Sequence, residues 1–85
     1  METEKSQRIK SAIIEVVDTQ IATDDPPETK QTFNRLISEG FSEKESKELI
    51  GTVVVAELFD VMQEGKEFDI DRYVDALDRL PERPL

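Results

Sequence analysis

The chain has 85 residues, contains no histidine, cysteine or tryptophan, and carries 20 acidic against 11 basic side chains, a net charge of −9. Serine–histidine and cysteine–histidine nucleophilic machinery, structural zinc sites, iron–sulfur clusters and disulfides are therefore excluded. The acidic excess argues against a duplex or an anionic membrane as partner, because both are gripped by clustered Lys and Arg.

A length of 85 residues suits one small domain, 1–85, with short flexible tails expected at 1–4 and 81–85. No basic leader precedes an apolar run, and no apolar stretch is long enough to span a bilayer. The expected location is the cytoplasm.

The spacing predicts an all-α fold, a four-helix bundle with helices around 5–22, 26–39, 43–64 and 70–80. In the first, Ile9, Ala12, Ile13, Val16, Val17 and Ile21 share one side. Thr3 or Ser6 is its candidate N-cap, and fraying is expected near Ala22–Asp24. The second opens at Asp25-Pro26-Pro27-Glu28, with Asp25 as N-cap and Glu28 placed for a capping box. Phe33, Leu36 and Ile37 form its apolar stripe, flanked by Thr29 and Thr32, and Gly40 suits its left-handed end.

Ser42 and Glu45 form a capping box that starts the third helix, and Gly65 closes it. A strand over Thr52–Val55, with its three consecutive valines, is the alternative there, but no turn signal except Gly51 interrupts Ser42 to Gly65, which favours a helix. Gly51 inside that helix points to close approach of a neighbour. Apolar residues lie on nearly every side between Leu49 and Met62, so this helix should be central, enclosed by the other three or by a second subunit. Asp69 caps the fourth helix, Phe68 and Tyr73 make a hydrophobic staple with the tyrosine hydroxyl at the rim, and Pro81 is the stop.

Two surfaces invite function. Glu57, Asp60 and Glu64 share a face of the third helix and are candidate ligands for Mg²⁺ or Ca²⁺, or a carboxylate set for metal-dependent or acid–base enzyme chemistry; an acidic ridge paired with Arg72, Arg79 or Lys66 is the structural alternative. Glu57 interrupts the most apolar stretch of the chain, so its burial would demand a partner. The second surface is apolar. Val54, Leu58, Val61 and Met62 are more than so short a chain can cover, and they are the candidate contacts of a protein partner or a homodimer. Acidic faces of the third and fourth helices offer a docking surface for a basic partner. No cofactor, no nucleic acid, no small-molecule ligand and no catalytic residue is expected.

From Pro26 to Pro81 a further pattern stands out: Pro26, Pro27, Glu28, then Leu36, Gly40, Ser42, Glu45, then Ala56, Glu57, Gly65, Phe68, Asp69, Arg72 and Tyr73. It resembles a group of small uncharacterised prokaryotic helical proteins, whose segments are similar to regions beside small zinc-binding modules of secretion-associated type. The resemblance covers about residues 26–81, implies an all-helical fold, and carries no assigned activity. Where that pattern places histidine after the glycine, this chain has Phe41. Gly40-Phe41-Ser42 also resembles the glycine–phenylalanine loop of ubiquitin-associated domains, but the third helix is too long for that three-helix fold.

Overall fold

The computed structural model describes residues 2–65 and 67–84, with side chains from Lys5 onward. Met1, Lys66 and Leu85 lie outside the described residues, and with them the suggested Lys66 ion pair and the ends of both expected tails. Four helices follow in order: α1 (Glu2–Thr23), α2 (Pro27–Ser38), α3 (Glu43–Glu64) and α4 (Ile70–Arg79). The fold is an all-α bundle. The valine run of α3 is helical, since a 22-residue helix carries it through without interruption.

Local chemistry sets most boundaries. Ser42 Oγ accepts from the Glu45 N–H while Glu45 Oε1 accepts from the Ser42 N–H, so both halves of the capping box form. Gly65 ends α3 at φ +63°, a conformation that a side chain would oppose. At the end of α2, Gly40 takes φ +103°. Its N–H bonds Ile37 O while the Phe41 N–H reaches back to Leu36 O, the two-bond Schellman arrangement. Phe41 packs onto the core as that motif's apolar contact. Asp69 Oδ1 accepts from the Arg72 N–H at the start of α4, and the Phe68 and Tyr73 rings meet at 5.3 Å between centroids. Leu80, extended before Pro81, stops α4.

Three expectations change. α1 begins at Glu2, so Thr3 and Ser6 lie within it rather than capping it. Its far end is locked rather than frayed: Asp24 adopts φ +53°, its N–H bonds Ile21 O, and the Asp25 N–H bonds Gln20 O. Asp25, spent in closing α1, does not cap α2; Pro26 is the N-cap, with no side-chain bond, and the proline at the first turn leaves one fewer N–H to satisfy.

α3 packs against each of the other helices, whereas α1 and α4 are not neighbours. The core joins Val17, Leu36, Leu49, Ile50, Val53, Val54, Tyr73, Leu77 and Leu80. Arg35 ties α2 to the end of α4, its guanidinium donating to Leu77 O at 3.1 Å. α1 meets α3 at Gly51, where a methyl placed on the glycine would lie 3.1 Å from Ile13 Cγ2. This is the close approach that a glycine in mid-helix announces. Beyond that crossing α1 is poorly covered. Ile13 and Ile21 are half-buried and Val17 is buried, but Ile9, Ala12 and Val16 are exposed, contrary to the single inward stripe expected. In α2 the buried face is Thr29, Thr32 and Leu36, and Ile37 faces outward.

Candidate interaction surface

Two polar nodes fix the bundle and one apolar face remains open. The first node is built on Glu57, 5 % exposed on the core side of α3. Arg72 of α4 forks onto it, Nε to Oε1 and Nη2 to Oε2, each at 2.9 Å. Oε2 also accepts the Asp69 N–H at 3.0 Å, so Glu57 holds the α3–α4 turn as well as α4. The Arg72 hydrogen bonds hold the Glu57 carboxyl below its ordinary range, with the Asp69 N–H assisting and burial opposing. Arg72 is correspondingly raised.

Two of the three candidate metal ligands thus face Arg72, the pairing that the structural alternative named. Glu57 has both oxygens engaged by α4, and Asp60 stands 3.7 Å from the same guanidinium. Glu64 lies exposed at the helix end. Among the described residues no group of three or more acidic side chains is placed to hold a metal ion. Arg79 pairs instead with Asp75 of its own helix.

The second node was not visible in the pattern of apolar residues. Gln20 Oε1 of α1 accepts from Thr29 Oγ1 of α2 and from Tyr73 Oη of α4, both at 2.8 Å. One amide oxygen thus links α1 and α4, whose backbones are not neighbours. The Tyr73 hydroxyl is inside, not at the rim, and burial raises its pKa against the pull of Thr29 and Gln20. Burying Thr29 rather than Ile37 follows from this bond, because a satisfied hydroxyl is tolerated inside.

The open face belongs to α3 and the first half of α1. Steps of three and four put Gly51, Val55, Leu58, Phe59 and Met62 on one side of α3. Among the described side chains, α1 comes closest to that side at Gly51. Past it, Leu58 is 49 %, Phe59 55 % and Met62 82 % exposed. The diverging helices leave a groove of about 610 Å³, walled by Ile9, Ile13 and Ile14 from α1 and by Thr52 and Val55 from α3. Lys10, in an ion pair with Glu48, and Arg83 stand at its edge.

Of the four apolar contacts predicted, Leu58 and Met62 are on this face. Val61 is half-buried on its flank, and Val54 is a correction: it is a core residue packed with Val53 and Leu77, unavailable to a partner. Val55, Phe59 and Ile9 were missed. The angle of Phe59 and Val55 relative to Gly51 was the available signal, since a helix that approaches at a glycine defines which side of α3 it can cover.

No protein-family model, no curated protein and no solved structure matches this chain. Among the described residues no helix is long and apolar enough to cross a membrane.

Proposed function

We propose that this protein is a small helical interaction module whose outer α3 face and adjoining groove dock a protein segment. The observation that carries the reading is the continuity of the uncharged strip Val55, Leu58, Phe59 and Met62 with the groove beside Gly51. In a chain that is 36 % charged, an apolar strip running into a groove is the usual mark of a recognition surface. A groove between two diverging helices suits an amphipathic helix, presenting residues at spacings of three and four. The two buried nodes serve this role by fixing α4 on α3 and α1 on α2 and α4, so that the groove is already shaped before binding.

Co-purification from the native cell tests this. A tagged chain should retain a protein, either another chain or an untagged copy of itself, that the Leu58→Glu, Met62→Glu double variant loses. The same species retained by both, or none by either, contradicts the reading.

A further inference from the structure

We infer that the segment docked in the α1/α3 groove is the end of α3 from a second copy of this chain, the two copies exchanging Phe59 and Met62 across a two-fold axis. The inference rests on the docking reading above and names its partner.

Three features of the surface support it. Projection and recess sit side by side on one face of one helix: Phe59 and Met62 protrude, and the recess beside Gly51, Thr52 and Val55 lies about one to three turns earlier. A two-fold axis near Val55 and Phe59 runs two α3 helices antiparallel and brings each projection to the other's recess, which is the self-complementarity an isologous contact requires. The strip between Thr52 and Met62 on this face bears no charge, so two chains of net charge −9 can meet there without opposing like charges directly. The ends match electrostatically. α3 has no basic residue in its last turn, so its carbonyl end presents the negative end of the helix dipole. Antiparallel packing carries that end toward the edge of the other copy's groove, where Lys10 and Arg83 outnumber Glu48, the carboxylate that Lys10 pairs.

Sedimentation equilibrium of the full chain tests this. The wild type should form a dimer. Phe59→Glu, Met62→Glu and Ile9→Glu should each weaken association at least tenfold while the thermal unfolding curve stays in place, because all three side chains are exposed. The double variant Ile9→Lys, Met62→Glu should recover part of the lost association, since each charge then faces its opposite across the interface. A wild type that stays monomeric, or a dimer insensitive to all three substitutions, overturns the inference. The docking reading is distinguished by its own outcome. If the wild type is monomeric yet loses a different co-purified protein on Leu58→Glu, Met62→Glu substitution, the groove docks another chain. If it is monomeric and retains nothing, both fail.

Discussion

Arg72 grips both carboxylate oxygens of Glu57, and the same carboxylate receives the Asp69 N–H at the turn before α4. A charge in the middle of an apolar helix thereby becomes the fastening for the shortest helix of the bundle. Removing one member of such a pair leaves the other buried and uncompensated, which is worse than removing both. Arg72→Met should therefore lower the denaturation midpoint more than the double variant Arg72→Met, Glu57→Leu. Urea titration of both checks this; equal or reversed losses would show that the pair does not act as a unit.

The same pair sets a pH dependence. Glu57 is held below its ordinary range by Arg72 when folded and titrates normally when unfolded, so it binds more protons in the unfolded state during acidification. Its stabilisation is complete above the ordinary carboxylate range, about pH 4.3, and is lost as pH falls through the lowered value. Glu48, lowered beside Lys10, acts in the same direction at the surface. Stability should be flat from neutral pH to about pH 5 and then decline. Glu57→Gln should flatten part of that decline; an unchanged acid limb in thermal melts would assign it to other carboxylates.

Gln20 is the keystone between α1, α2 and α4. Gln20→Leu strands the hydroxyls of Thr29 and Tyr73 inside the bundle and should destabilise by about 1–3 kcal/mol, whereas Tyr73→Phe removes one donor and should lose about 1 kcal/mol. Chemical denaturation of the two variants checks the order. A Gln20→Leu protein as stable as the wild type would mean that the amide oxygen does not hold these groups.

Much of the architecture was readable from the chain because its boundaries rest on chemistry local to a few residues. Ser42 with Glu45, Asp69, Phe68 with Tyr73, Gly65 and Pro81 each act within one turn, and each acts as expected. Gly51 was legible because a glycine in mid-helix has no local justification. Asp24, Asp25 and Ile37 misled for the converse reason. Their roles depend on how α1 closes and on a hydroxyl–amide bond between helices, and apolar periodicity weighs neither. Glu57 was flagged as needing a partner, and Arg72 was among those named, but the direction of the open face required knowing where α1 crosses. That is why Phe59 and Ile9 went unnoticed as surface contacts while Val54 was included.

Ser46 and Gly51 give contrasting tests of packing on α3. The Ser46 hydroxyl is buried with no hydrogen-bond partner among the described residues, so Ser46→Ala should raise stability by about 0.5–2 kcal/mol. Gly51→Leu forces a branched side chain against Ile13 and should cost about 1–3 kcal/mol. In Gly51→Ala the methyl crowds Ile13, which borders an open groove and can shift, so the gain in helix propensity roughly cancels the contact. Calorimetry should place Ser46→Ala highest, Gly51→Ala level with the wild type, and Gly51→Leu lowest. A Gly51→Leu protein that melts with the wild type would mean that α1 does not press on α3 at this point.

The central claim is that the face running from the groove to Met62 receives the end of α3 from a second chain. The natural absence of cysteine permits a direct measurement. Two single variants, Ile9→Cys carrying a size tag and Met62→Cys without one, are mixed and oxidised. The account predicts that the mixed disulfide forms faster than either homodimeric product and is suppressed when Phe59→Glu is added to both chains. Equal rates for all three products, unaffected by Phe59→Glu, would be the signature of random collision and would contradict it.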